Sequence, residues 1–191
     1  MELCFATNNT HKLEEVRAAT AGNINILSLS DIRCFEELPE TQPTLEGNSL
    51  QKAEYVNHHY HIPCFADDTG LEVEALHGAP GVFSARYAGP QRNSGDNISL
   101  LLDNLRGITN RNARFRTVIS LVGLGSTQLF DGIVTGTIRE SSRGTQGFGY
   151  DPVFQPTGFQ QTFAEMTLEQ KNTLSHRAIA VAKLVRFLLK N

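Results

Sequence analysis

An α/β fold follows from three features in the order of apolar patterns along the chain. A strand, loop and helix at the start lead into a second strand, residues 113–138 form a long β-rich stretch, and an amphipathic helix occupies the last part. A strand, helix and strand in succession make the crossover unit that joins parallel neighbours, and a hairpin adds antiparallel ones. The sheet is therefore expected to be mixed, with helices against it.

Residues 2–6 alternate into a short strand, and residues 10–19 have helical composition with Leu13 and Val16 on one face. Residues 24–27 fit the parallel partner strand. Residues 46–60 read as a second helix, with Leu50, Ala53 and Val56 at helical spacing. The apolar run at residues 62–66 reads as a short buried strand, so Asp67 and Asp68 would emerge at its carboxyl end before Gly70. Ligands in open α/β sheets bind at that edge.

Residues 71–88, rich in glycine, proline and aromatics, are expected to form short strands and turns, with 72–74 and 83–87 extended. Residues 93–105 look helical. Phe115, Thr117 and Ile119 alternate, and after a break at 123–127 a second run covers 129–138, which predicts a long hairpin. Ser175 is a helix cap, and Val181, Leu184, Val185 and Leu188 then line one stripe of a final helix.

A length of 191 residues, 40% of them hydrophobic and 19% charged, suits one compact domain with its own core, spanning 1–191. The net charge of −3 and pI near 6.1 argue against a nucleic-acid polymer as partner, because polyanion binders usually carry a basic face. A small anion held by a few local cations remains open. Cys4, Cys34 and Cys64 lie far apart in sequence, without the close pairing of a zinc or redox motif, which fits a reducing cytoplasm. No stretch approaches the ~20 apolar residues of a membrane span, and no leader pattern opens the chain, so no membrane association is expected.

Asp67-Asp68 is the most informative local feature, although an acidic pair in a turn is often only a solvated loop or a helix cap. The loop Thr7-Asn8-Asn9-Thr10-His11-Lys12, between strand and helix, would aim backbone N–H groups and the positive end of the helix at one point, and Lys12 adds a full charge. That suits phosphate. Equally, Asn9 or Thr10 merely caps the helix while Lys12 is solvated. Phe148-Gly149-Tyr150-Asp151 sets two aromatics among glycines, where a ring can stack on a planar ligand or simply join the core. Lys171, His176 and Arg177 are candidate contacts to an anion or a base edge.

Taken together, these segments resemble the inosine triphosphate pyrophosphatase family, the Ham1-like enzymes that hydrolyse non-standard purine nucleoside triphosphates. The resemblance rests on ordered motifs: Thr7-Asn8-Asn9 with Lys12, Glu46-Gly47-Asn48-Ser49 with Lys52, Ala66-Asp67-Asp68-Thr69-Gly70-Leu71, Gly78 to Tyr87, Phe148-Gly149-Tyr150-Asp151-Pro152, and Lys171-Asn172 followed by Ser175-His176-Arg177. It implies an elongated central mixed sheet with flanking helices and two lobes around a nucleotide-binding cleft. It also implies Mg²⁺ as cofactor and a homodimer, and it gives ITP, dITP and XTP as substrates, cleaved to the monophosphate and pyrophosphate.

Position by position, the resemblance makes residues 7–12 the phosphate loop and Lys52 a second phosphate-facing lysine. Asp68 becomes the catalytic carboxylate and a metal ligand, Glu40 a metal-binding glutamate, and Thr69 a substrate-contacting hydroxyl. Phe148, Gly149, Tyr150, Asp151, Lys171, His176 and Arg177 hold base and sugar. A hard cation takes oxygen ligands and leaves several sites to water and phosphate, so one or two carboxylates suffice. Base choice would come from donors to the 6-oxygen of inosine or xanthosine. Against an adenine amino group, each buried donor left unpaired costs roughly 1–3 kcal/mol.

Three positions depart from the family pattern: Asn8 and Gln146 replace glycine, and Thr69 replaces serine. None removes a charge, and asparagine tolerates a positive φ better than other side chains. Two other functions compete: a pyrophosphatase of broader base range, and a sensor that binds triphosphate without cleaving it. The His58-His59-Tyr60-His61 run lacks the i, i+4 pair of a helical metal site, and surface or packing roles are expected for it.

Overall fold

The computed structural model describes residues 2–20 and 24–190. In chain order, β1 (Glu2–Phe5), α1 (Thr10–Thr20) and β2 (Asn25–Leu27) form the opening unit. They are followed by α2 (Leu45–Tyr60), β3 (Cys64–Val73), β4 (Pro80–Gly81), α3 (Ser94–Asn104), β5 (Asn112–Val122) and β6 (Gln128–Ile138). The chain closes with β7 (Phe154–Pro156), α4 (Leu168–Asn172) and α5 (His176–Leu188). A single sheet has the order β2-β1-β3-β5-β6-β7, with β4 pairing off β3. It is mixed: β1 runs parallel to β2 and β3, whereas β3–β4 and β6–β7 are antiparallel. The α/β reading of the sequence is thereby borne out.

The chain divides into two compact units. The first comprises the chain up to Asp68, Thr117–Gly132 and the chain from Arg177 onward; the second comprises Thr69–Arg116 and Ile133–His176. In the first, β1 and β3 are buried on both faces, as parallel strands between helices must be. Leu3, Phe5 and Phe65 join Val16 of α1 and Val181 and Leu184 of α5 in one cluster. Cys4, Ala6, Cys64 and Ala66 join Ala53 and Val56 of α2 in another. The two-residue repeat of a strand thus divides its side chains between two layers of helix. The rings of Phe5 and Phe65 stack at 4.6 Å where their strands pair.

The helix ends follow local chemistry. The Thr44 hydroxyl accepts from Gly47 N at the start of α2, and His61, at φ 53°, closes its other end on the Asn57 carbonyl. In the second unit, Leu71, Val73, Leu101, Phe115, Phe154 and Phe163 form the core. The Phe115 ring lies 4.6 Å from that of Phe154.

Two expectations need correction. The apolar run before the acids is not a short strand with Asp67 and Asp68 beyond its end, because β3 continues through both to Val73. Leu71 and Val73 are fully buried, and Gly70 lets β4 come close: a Cβ there would lie 2.7 Å from the Gly81 carbonyl oxygen. Residues 83–87 are also not extended. Ser84–Arg86 forms a 3₁₀ turn, held by the Ser84 hydroxyl, which donates to the Gly81 carbonyl and accepts from Leu71 N. The short elements β7 and α4 carry too few residues to show a period in sequence.

Gly70→Ala tests the continuity of β3. The added methyl meets backbone rather than a movable side chain, so a loss of about 1–3 kcal/mol is expected, seen as a lower urea midpoint. An unchanged midpoint would contradict the close approach of β4.

Candidate active site

The alternation of β3 decides where its two acids go. Asp67 shares a face with Phe65 and points toward α1 and α5, while Asp68 shares a face with Ala66 and points toward α2. On the first face the Asp67 carboxylate accepts from Lys12 Nζ at 2.9 Å and from Arg177 Nε at 3.0 Å. The Arg177 guanidinium also donates to Glu15. Asp67, Glu15 and Arg177 are all nearly inaccessible to solvent.

On the second face, Lys52 Nζ donates to Glu40 at 2.7 Å and to the Asp67 carbonyl at 2.8 Å, and it lies 4.0 Å from Asp68 Oδ1. The Asn48 amide donates to Asp68 Oδ2 at 3.1 Å. Asn48 and Lys52 are one helical turn apart on α2, so one stripe of the helix serves the acid.

These partners push the neighbouring carboxyls in opposite directions. Burial pushes Asp67 up, but Lys12, Arg177 and Lys52 together hold it well below its ordinary range. Asp68 is raised, by burial first and by Glu40 as well, against the pull of Lys52, Lys12 and the Asn48 amide. Burial lowers Lys12, with Lys52 and Arg177 adding to the effect against the attraction of Asp67. Burial acts in the same sense on Lys52, yet Asp68, Glu40 and Asp67 outweigh it and leave that ammonium raised. Asp67 is thus a fixed anion, whereas Asp68 is displaced toward the range in which a carboxylate can take up a proton.

The opening loop caps its helix. Thr7 Oγ1 accepts from Asn9 N, and Asn9 Oδ1 accepts from Lys12 N, so Asn9 caps α1. The cap does not leave Lys12 in solvent, since its ammonium is bound to Asp67. Asn8, Thr10 and His11 are exposed, and His11 Nδ1 lies 3.9 Å from Glu14.

The second unit holds the other expected residues. Asp151 Oδ2 accepts from Phe148 N at 2.9 Å and from Lys171 Nζ at 2.7 Å. A Cβ on Gly147, whose φ is 72°, would lie 2.1 Å from that oxygen, so only glycine allows the turn to close on the carboxylate. Lys171 Nζ stands 5.0 Å from the Phe148 ring centroid and 5.6 Å from that of Phe163. The capping box of α4, Thr167 with Gln170, sets the turn that carries it. Gly149, at φ 61°, has open space where a Cβ would stand but a backbone that favours glycine, and Thr69 is half-buried. Tyr150 and His176 belong to the core. The Tyr150 hydroxyl donates to the Ser84 carbonyl, and the His176 ring stacks on Phe115 at 4.6 Å.

Two further residues reach the cluster without having been given a role. Glu15 lies three positions after Lys12 on α1, and Asn48 four before Lys52 on α2. That helical spacing pointed to both, and Asn48 also lay in the motif with Lys52. Among the described residues no three His, Cys, Asp or Glu side chains gather as a metal cage.

A model of the Ham1 family matches residues 3–187. A Flavobacterium johnsoniae protein called dITP/XTP pyrophosphatase is 53% identical over 188 residues, covering 98% of each chain. A Porphyromonas gingivalis protein of the same name is 54% identical, covering 98% of this chain and 97% of that one. The Staphylococcus aureus Ham1 protein superposes with a TM-score of 0.89 at 37% identity, covering 100% of this chain and 99% of that one. A HAM1 protein from Coxiella burnetii gives 0.91 at 32% identity over 100% of both.

Asp67→Asn tests the buried charge set. Removing one partner of a buried pair costs about 3–5 kcal/mol, so chemical denaturation near neutral pH should find a large loss. The native carboxyl titrates below its ordinary 3.8, so its stabilisation is present above that pH and disappears as pH falls further. The variant should therefore show a shallower acid limb than the parent. Equal stabilities, or parallel acid limbs, would refute the assignment.

Proposed function

The chain belongs to the Ham1 family, and from that premise we propose that residues 1–191 act as a single pyrophosphatase domain for non-standard purine nucleoside triphosphates. It hydrolyses ITP, dITP and XTP to the monophosphate and pyrophosphate, and so keeps them out of nucleic acid synthesis. The observation that carries the reading is the buried set Lys12, Lys52, Asp67 and Asp68, with Glu40 on the same ammonium as Asp68. A chain that only bound an anion would have little need of a carboxylate with a raised pKa that shares an ammonium with a second carboxylate.

Lys12 and Lys52 face phosphate, along with the loop at Thr7, Asn8, Asn9, Thr10 and His11. The water oxygen bonds to the α-phosphorus as the bridging oxygen leaves with pyrophosphate. Asp68, raised in pKa by its burial, accepts the water's proton. Asp67 keeps Lys12 charged and aimed. Arg177, which donates to Asp67 and Glu15, acts on Lys12 through Asp67.

Glu40 and Asp68 fit a hard divalent cation: both offer oxygen, and both lie against Lys52, so like charges are already gathered there. They would hold Mg²⁺, which when bound neutralises the charge that develops on the leaving pyrophosphate. Phe148 supplies a ring for the base, with Lys171 and Asp151 fixing it, and Thr69, Gly149, Tyr150 and His176 complete the base and sugar contacts. The protein works as a homodimer in the cytoplasm. No described helix is long and apolar enough to cross a membrane.

Pyrophosphate release should be measured from ITP, dITP, XTP, ATP, GTP and dTTP, with Mg²⁺ and with chelator. Mg²⁺-dependent release confined to the first three is expected, with a loss of about 10²-fold or more in Asp68→Asn. Equal turnover of all six would indicate a general pyrophosphatase, tight binding without release a sensor, and normal turnover by Asp68→Asn a different mechanism.

A further inference from the structure

Glu40 and Asp68 reach the same ammonium from very different supports. Asp68 lies on a central strand, whereas Glu40 lies on a segment without regular secondary structure, between β2 and α2. Two carboxylates repel, so something must hold their relation. Lys52 attracts both, at 2.7 Å and 4.0 Å, but an ammonium on a flexible stem is a point charge and fixes no orientation.

Asn48 supplies direction. Its side chain is 1% exposed, and its two ends have different partners. Oδ1 accepts from Gln42 N at 2.9 Å, and Nδ2 donates to Asp68 Oδ2 at 3.1 Å. Chemistry sets this orientation, because a backbone N–H can only donate and an ionised carboxylate can only accept. The planar amide therefore ties the Glu40 segment, two residues past Glu40, directly to the acid. It takes up Oδ2, while Oδ1 is the oxygen nearer Lys52.

Further along the same stripe of α2, Gln51 grips Thr41 twice: Thr41 N donates to Oε1 at 3.0 Å, and Nε2 donates to Thr41 Oγ1 at 2.9 Å. Residues 48, 51 and 52 thus hold 40–42 along one face, but of Asn48 and Gln51 it is Asn48 that also bonds to Asp68.

We propose that Asn48 is a positioning residue of the cation site, fixing the Asp68 carboxylate relative to Glu40 so that the two can share one divalent ion. This rests on the reading of Glu40 and Asp68 as the ligands, and it adds a residue that touches neither substrate nor metal.

The test is Mn²⁺ binding to the substrate-free protein, followed by the electron paramagnetic resonance signal of the free ion. Wild type, Asn48→Ala, Gln51→Ala and Asp68→Asn are compared, with thermal unfolding of each. Loss of a group that orients a ligand weakens metal binding by about 10–100-fold. Asn48→Ala should show such a loss, together with a matching rise in the Mg²⁺ concentration that half-saturates ITP turnover. Gln51→Ala should bind Mn²⁺ close to wild type. If Asn48→Ala binds as wild type does, or if it and Gln51→Ala weaken equally and in step with their unfolding temperatures, Asn48 is a segment anchor and the proposal fails. If wild type and Asp68→Asn bind alike, the cation site itself is misassigned and this inference falls with it.

Discussion

Asp67, with no solvent exposure and two cations on its carboxylate, is the constraint around which the first unit is organised. A charge that deep is tolerated only when it is paired and hydrogen-bonded, so Lys12 and Arg177 have little freedom in where they stand. They come from the two ends of the chain: Lys12 lies in the first turn of α1, and Arg177 in the first turn of α5. The strand between them supplies the anion. One carboxylate therefore links β1's loop, β3 and α5, and Glu15 satisfies the guanidinium from the other side. Apolar packing of α1 and α5 on this sheet face would set the helices roughly; the charge set fixes which residues meet.

The adjacent carboxylate differs only because a strand turns successive side chains to opposite faces. Asp68 meets an amide and an ammonium already shared with Glu40, where Asp67 meets two cations. Burial raises both, and the neighbours decide the net result. Two identical residues side by side thus become a permanent anion and a carboxylate with a raised pKa without any change in backbone conformation. A single step of register would exchange their surroundings, so the burial of Phe65 and Ala66 on opposite faces also protects the chemistry.

Much of this was legible in the sequence, because the opening unit, the hairpin and the last helix carry their periods openly. The end of β3 was not. Periodicity marks a strand by alternating apolar and polar positions, and Asp67-Asp68 before a glycine imitates a turn; only the ion pairs that cancel those charges make a buried strand possible, and they come from residues 55 and 110 positions away. The motifs located Lys12, Lys52, Glu40 and Asp68 but could not say which cation meets which acid. The resemblance makes Arg177 and Tyr150 holders of base and sugar, and it says nothing of what they bond to within the fold. Here Arg177 donates to Asp67 and Glu15, and Tyr150 donates to the Ser84 carbonyl. Glu15 carried no signal beyond its spacing from Lys12, and Asn48 stood in the motif with Lys52 without a role of its own.

The second unit repeats the solution on a smaller scale. Asp151 is buried, and it is satisfied by one ammonium and one backbone N–H rather than by two cations. Because the N–H belongs to Phe148, neutralising the acid also sets the turn that carries the ring, and the same Lys171 lies within cation–π range of that ring. Gly147 is the condition for this, since any side chain there would occupy the place of the carboxylate oxygen. In both units a buried acid positions the group beside it. Lys12 is held through Asp67, and Phe148 through Asp151, so the conformations of both are set by the fold before any ligand arrives.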